Sequence, residues 1–405
     1  MRTILMACAV CAATIVQAQE PQPKYVADWR AFAQTVDDTY PFFDLKNIRG
    51  EWDAAKPMLE ARANACASDG EFLGVVTDAF RVLRDSHMQI ADARVVPPQP
   101  EPEYYPAISF MPAAEKKVVV MFANPILGEL SKIGTVITQI DGTSAYEYLE
   151  RHAEEEWKHS LASSPQRARL HAYRIPLRGK QGETHTIRYL ASSGEREVSV
   201  TCDTEARGWP HTYNFPENTM AFGRSCFFKR LDSGVGYLYL RRVDQGVAEG
   251  VKQALERVTD TKGWIVDLRG NGGGGYDEAL IANVKSIPRP VAVIIDAGCI
   301  SAGETLARDI AEHTGARIFG TKTAGSSSAK RKWSFPSGVA SVIMATRSRV
   351  RADGKPIEFN GIDPDVIVEP VAEEVQQGKN TEILRAEAFL VTAENSSGRN
   401  ETLTN

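Results

Sequence analysis

Four short apolar runs, at 235–240, 264–268, 291–295 and 317–320, are separated by three stretches of helical period, at 248–258, 277–284 and 302–313. Continuously apolar runs belong to strands buried on both faces, and such strands need covering helices. A strand, a helix and a second strand return the chain parallel to its start. The C-terminal half is therefore predicted to be α/β, a mainly parallel sheet with helices packed on it. The chain has 405 residues, room for two or three domains at roughly 100–200 residues each.

The rest of the sequence has other periods. Apolar residues recur at helical spacing over 25–40 and 52–65, and Ser68-Asp69-Gly70-Glu71 resembles a cap before a third helical run ending at 83. The pattern stops at Asp85-Ser86-His87, and a proline-rich linker follows from Val96 to Pro102. Residues 103–205 read as a small α+β module, with strands at 117–122, 135–140, 184–190 and 196–201 and a helix at 145–157. The predicted division is a leader (1–18), a helical domain (19–98), the α+β module (99–205), the α/β core (206–395) and a polar tail (396–405).

The leader has Arg2, an apolar run over 4–16, and Val16-Gln17-Ala18 before the expected cut. This is a secretory signal pattern, too short to span a bilayer. No later stretch reaches about 18 apolar residues, so the mature protein is expected to be soluble and exported, periplasmic in a Gram-negative source. Cys66, Cys202, Cys226 and Cys299 follow the leader, and Cys202–Cys226 is the expected bridge in an oxidising compartment.

Lys and Arg number 47 against 52 Asp and Glu, a net charge of −5. Lys330-Arg331-Lys332 is the longest basic cluster and reads as solvated surface, so no nucleic-acid partner is expected. Past the leader there is no C-x-x-C, no H-E-x-x-H and no clustered His/Cys set, so neither metal nor organic cofactor is expected.

Gly270-Asn271-Gly272-Gly273-Gly274-Gly275 follows a predicted strand, opens a predicted helix, and matches G-x-G-x-x-G, with Asp296 where a ribose-binding acid would stand. Asp277 and Glu278 argue against a dinucleotide, because they put negative charge where a pyrophosphate would bind. A glycine turn can instead aim amides at a developing oxyanion. That role needs a nucleophile, and Ser301 stands one strand later at a strand-to-helix junction. By position alone Ser301 reads first as a helix cap, with Glu304 completing the box.

Four ordered motifs carry a resemblance. Asp267-Leu268-Arg269-Gly270-Asn271-Gly272-Gly273-Gly274, Ser301-Ala302-Gly303-Glu304, the Gly320-Thr321-Lys322-Thr323-Ala324-Gly325 turn and Gly361-Ile362-Asp363-Pro364-Asp365 resemble segments of the tricorn and C-terminal-processing serine peptidases, the tail-specific protease superfamily. The resemblance implies a crotonase-like peptidase core, a PDZ-like module at 99–205, and Ser301 as nucleophile. The lysine of the C-terminal-processing branch is replaced by Ser326, although Lys322, Lys330 and Lys332 stand nearby. The tricorn-like branch uses a histidine preceded by serine and a distant glutamate. It implies His87 as general base, with Ser86 and Glu358 as its relay. The N–H groups of Gly273 and Ala302 would form the oxyanion hole, with Gly272 as the alternative to Gly273. Asp85 and Asp267 are expected to be structural. Arg351 is a candidate for reading a free carboxylate. The implied function is serine peptidase action on unfolded proteins or peptides through an acyl-enzyme. A non-catalytic peptide- or ligand-binding protein on the same core is the alternative, since retinoid-binding proteins of the eye share the resemblance. Oligomeric state is left open.

Overall fold

The computed structural model describes residues 23–97, 102–206, 216–275, 278–351 and 353–401. The leader and its cut lie outside them.

Helices α1 (Pro23–Thr39), α2 (Phe43–Lys46), α3 (Arg49–Ala65) and α4 (Asp69–Leu83) open the described chain. They bury Trp29, Phe32 and Val36 from α1, Trp52 and Leu59 from α3, and Phe72, Val76 and Phe80 from α4. These are the positions that helical periodicity brings to one face. Ser68 caps α4 by accepting the Glu71 N–H at 3.3 Å. Arg84 ends α4 in the left-handed conformation, φ 47°, and so turns the chain sharply into Asp85-Ser86-His87.

This helical unit does not close its own core. Phe335, Val342, Met344 and Ala345, around and within the hairpin of Ser328–Ser334 with Ser341–Ser348, share its apolar cluster. Strand β1 (Gln89–Ala91) pairs antiparallel with residues 341–343 of that hairpin. The boundary at 98 thus divides the sequence and not the core. The hairpin escapes sequence reading because Lys330, Arg331 and Lys332 are exposed along its first strand.

The middle unit is an antiparallel sheet ordered Ile108–Ala113, Lys117–Ala123, Val136–Ile140, Thr184–Ala191, Gly194–Thr201. Helices Ala145–His159 and Pro165–Arg174 accompany it. Phe110, Val120, Ile140, Leu149, Tyr173 and Ile187 form its core. The second helix lacks an apolar period (PQRARLHAYR) and is announced only by Ser164 as cap with Pro165 after it.

The C-terminal unit is a seven-stranded sheet. Gly236–Leu240, Trp264–Asp267, Val291–Ile295, Arg317–Gly320 and Val366–Ile367 run parallel, and Cys226–Arg230 and Met220–Phe222 extend it antiparallel. Helices Val247–Arg257, Glu278–Lys285 and Ala302–Thr314 pack on one face, and Ile383, Ala386 and Leu390 of Thr381–Glu401 on the other. Asp277 lies outside the described residues. The loops 268–275, 296–301 and 321–327 all leave the carboxyl ends of parallel strands, where α/β sheets open a crevice.

All four described cysteines are free and buried. The expected Cys202–Cys226 bridge is not formed. Cys202 donates to the Leu177 carbonyl in the middle unit, at 3.2 Å. Cys226 belongs to the core of the C-terminal sheet. No helix among the described residues is long and apolar enough to cross a membrane.

Candidate active site

Ser301 stands between strand Val291–Ile295 and helix Ala302–Thr314 with φ 55° and ψ −121°. A non-glycine residue held there is strained, and such strain persists only where surrounding contacts impose it. The Ser301 N–H donates to the Ser326 carbonyl at 2.7 Å and to Glu304 Oε2 at 3.1 Å. Glu304 is fully buried and accepts three further donors: Thr323 Oγ1 at 2.6 Å, Gly325 N at 2.8 Å and Ser326 N at 3.0 Å. It ties the Ser301 junction to the Thr323-Ala324-Gly325 turn. Burial pushes its carboxyl up to about 7, against the hydrogen bonds it accepts.

His87 Nε2 lies 3.3 Å from Ser301 Oγ, across 214 residues of sequence. Its other ring nitrogen, Nδ1, is 3.5 Å from Ser326 Oγ. With Nε2 facing the serine as acceptor, Nδ1 carries the proton and donates to Ser326. Burial pushes the His87 pKa down to about 4; Lys330 and Lys46 act the same way, and Asp85 opposes them. The ring is therefore neutral at pH 7.

The relay differs from the expected one. Ser86 is not the residue behind the ring; its hydroxyl is hydrogen-bonded to that of Ser326, and lies 3.2 Å from Ser163 Oγ. Ser326, the position that lacks the lysine, supplies the oxygen nearest Nδ1. Glu358 is fully buried and accepts the Ser327 N–H at 2.9 Å. Its other oxygen pairs with Lys46 at 2.9 Å, and Ser163 also hydrogen-bonds it. Glu358 thus reaches His87 through a hydroxyl cluster of Ser163, Ser86 and Ser326. Burial raises its carboxyl; Lys46 opposes and Asp85 adds to the rise.

The expected oxyanion pair, Gly273 and Ala302, lies beside Ser301. Gly273 is packed on the nucleophile: a Cβ there would sit 2.8 Å from Ser301 Cβ and 3.1 Å from Ala302 N, and its φ is 67°. Its N–H, however, donates to Asn271 Oδ1 at 2.9 Å. The alternative, the Gly272 N–H, donates to the Arg241 carbonyl at 3.1 Å. Both amides are already engaged, Gly273 within its own loop and Gly272 with the segment that follows strand Gly236–Leu240. The Ala302 N–H opens its helix and donates to no carbonyl among the described residues.

The other candidates are held elsewhere. Asp296 accepts the N–H groups of Gly270 at 2.8 Å and Gly298 at 2.9 Å. The acid that a dinucleotide would need for its ribose braces the glycine loop instead. Lys322 pairs with Asp363 and Lys332 with Asp92, each at 2.9 Å, so neither serves Ser301. Arg351 is also committed to Asp363, at 2.6 Å. Asp85 accepts the His87 N–H at 2.9 Å, and buried Asp267 pairs with Arg269 at 2.6 Å. His152, His171, His185 and His313 bond to local carbonyls or carboxylates, and His159 faces Glu155. His211 lies outside the described residues. Among these residues no group of His, Cys, Asp and Glu could hold a metal ion.

Sequence reading missed Lys46, Ser163 and the part played by Ser326. Their signals were faint: a lysine in the mixed segment Phe43-Asp44-Leu45-Lys46-Asn47-Ile48, a Ser-Ser-Pro cap, and a serine run after Gly325.

Residues 234–288 and 276–368 match the model of peptidase family S41. A probable CtpA-like serine protease of Staphylococcus haemolyticus is 23% identical over 221 residues, 47% of this chain and 41% of that protein. The carboxy-terminal processing protease CtpA of Bacillus subtilis is 23% identical over 223 residues, 48% of this chain and 44% of that protein. The chain thus spans less than half the length of these curated relatives. In fold it is similar to mature CPAF, with TM-score 0.64 and 13% identity over 91% of this chain and 98% of the other. It is similarly close to CPAF complexed with lactacystin, with TM-score 0.62, 13% identity, and coverage of 93% and 98%. The strained serine, the glycine loop beside it and the matched segments point the same way: residues 234–368 match the peptidase family S41 model, and the chain is similar to tail-specific, serine-type peptidases.

Proposed function

We propose that the mature protein is an exported peptidase that cleaves unfolded proteins or peptides through an acyl-enzyme on Ser301, with His87 as general base. The observation carrying this reading is His87 Nε2 at 3.3 Å from the hydroxyl of a strained serine. On attack, Ser301 Oγ bonds to the scissile carbonyl carbon while His87 Nε2 takes its proton. The tetrahedral intermediate collapses, and His87 returns the proton to the leaving amine. Water then repeats the sequence on the acyl ester. Ser326, backed by Ser86, Ser163 and Glu358, holds the Nδ1–H tautomer that keeps Nε2 an acceptor. The Ala302 N–H serves the oxyanion. Gly273 joins it if its N–H leaves Asn271 when substrate binds, a rotation that glycine at positive φ makes easily. The middle unit is read as PDZ-like and the C-terminal unit as crotonase-like.

The engaged Gly273 N–H favours a second reading, a binding protein with an inert serine. A fluorophosphonate probe separates the two. Labelling of Ser301 in wild type, absent from Ser301→Ala, supports the peptidase; an unlabelled serine and no cleavage of a disordered protein support the carrier.

Two further outcomes are expected. Activity (kcat/KM) should stay level as pH falls through the ordinary histidine range and drop only as it passes about 4, where the buried His87 gains its proton. A limb near the unperturbed value of about 6.5 would show that His87 is solvated in the working enzyme. Gly273→Ala should lower kcat roughly tenfold to a hundredfold, from about 1–3 kcal/mol of strain pressed onto Ser301. Unchanged kcat would mean that loop and nucleophile separate during turnover.

A further inference from the structure

We propose that Lys46 is a positioning residue: it locks the turn that carries His87 onto the C-terminal unit by bridging Glu358 to the end of α4. The inference rests on the peptidase reading of Ser301 and His87 and deepens it.

Lys46 ends α2, and its side chain is wholly inaccessible to solvent. Taking an ammonium out of water costs several kcal/mol unless it is paired and hydrogen-bonded. Lys46 Nζ has four polar neighbours: Glu358 Oε1 at 2.9 Å, the Arg84 carbonyl at 2.7 Å, Tyr40 Oη at 3.2 Å and Asp85 Oδ2 at 3.9 Å. The Phe42 ring centroid lies 5.4 Å away. Arg84 is the C-cap of α4, so its carbonyl is at the negative end of a helix dipole, where a cation is favoured.

These contacts converge on the base. Arg84 and Asp85 are the residues from which the chain turns to His87, and Asp85 Oδ1 accepts the His87 N–H at 2.9 Å. Tyr40 braces the same turn, donating to Asp85 Oδ2 at 3.1 Å and to the Leu83 carbonyl at 3.0 Å. Glu358 comes from the other side of the site, anchored by the Ser327 N–H at 2.9 Å. The base and the nucleophile are borne by different parts of the fold, and the 3.3 Å between Nε2 and Oγ depends on how those parts dock. The Lys46–Glu358 pair is a buried joint between them. A misplacement of about 1 Å can cost 10²-fold in rate.

The test uses the full mature chain with Lys46→Met, Glu358→Gln and the two combined. The expected result for Lys46→Met is kcat down roughly 10- to 100-fold with KM within about threefold. The double variant should be no slower than the slower single one, because both changes break one joint. In ¹⁵N-histidine NMR of the resting protein, His87 (assigned by loss of its signals in His87→Gln) should change from the Nδ1–H tautomer to a mixture. Should Lys46→Met fail to fold, the double variant, which removes both charges of the Lys46–Glu358 pair, carries the same two readouts. Wild-type kcat and tautomer in whichever variant folds would overturn the proposal. So would a kcat loss with an unchanged tautomer, or losses that multiply in the double variant. The NMR readout needs no turnover. If wild type cleaves nothing, the peptidase reading falls while the positioning role is still decided.

Discussion

Ser301→Ala should abolish peptide cleavage, with a fall in kcat of about 10⁶-fold, while the protein stays folded. A nucleophile and its base act as a unit in serine peptidases, so losing either costs nearly the whole covalent pathway. His87→Ala should therefore fall about as far, and Ser301→Ala/His87→Ala no further than either alone. The geometry behind this is the Nε2–Oγ approach of 3.3 Å. Stability should barely move for Ser301→Ala, because the contacts that hold the junction are made by the Ser301 main chain and Glu304. Mass spectrometry of a disordered protein incubated with each variant checks it. Cleavage that survives His87→Ala but not Ser301→Ala would transfer the base role to a lysine; Lys322 and Lys332 are ion-paired, and Lys330 has no ion pair among the described residues.

Glu304→Ala should be the most damaging change to stability near the site, at about 4 kcal/mol. Four donors converge on that one carboxylate: the Ser301, Gly325 and Ser326 N–H groups and the Thr323 hydroxyl. Orphaning buried donors costs about 1–3 kcal/mol each when they cannot reach water, less in sum as the loop relaxes. The Ser301 junction and the Thr323 turn should loosen together, so activity falls with stability. Urea denaturation of the Ser301→Ala background, with and without Glu304→Ala, measures the stability loss free of self-cleavage; a loss under about 1 kcal/mol would mean that water replaces the carboxylate. Glu304→Gln adds a pH signature. The Glu304 pKa is raised from 4.5 to about 7, so the folded state holds this proton more tightly than the unfolded chain. The stability it lends is full below 4.5 and is lost as pH rises through about 7. Wild type should therefore lose stability relative to Glu304→Gln across that window, and parallel curves would refute the assignment.

Much of the fold was legible because burial leaves a periodic trace. The parallel strands read as continuous apolar runs, and α1, α3 and α4 as stripes of Trp, Phe and Val at helical spacing. Elements without a clear apolar period left little trace: helix Pro165–Arg174, the largely exposed strand Ser328–Ser334 and four-residue α2. Those elements, or the residues bordering them, supply Ser163, the hairpin that completes the helical core, and Lys46. Cys202 and Cys226 show the opposite error, an inference from compartment that spatial separation overrules.

By itself the sequence determined the parallel strands and helices of the C-terminal half, because burial writes them as apolar runs, and it named Ser301 and His87 as candidates through the resemblance of Ser301-Ala302-Gly303-Glu304 and Asp85-Ser86-His87. Only the tertiary structure decided which hydroxyl stands behind the imidazole, where the Gly273 amide points, and that a buried lysine joins the two halves of the site. Those are matters of ångströms between residues tens to hundreds of positions apart. Packing sets such distances through the whole core, and no local run of side chains encodes them.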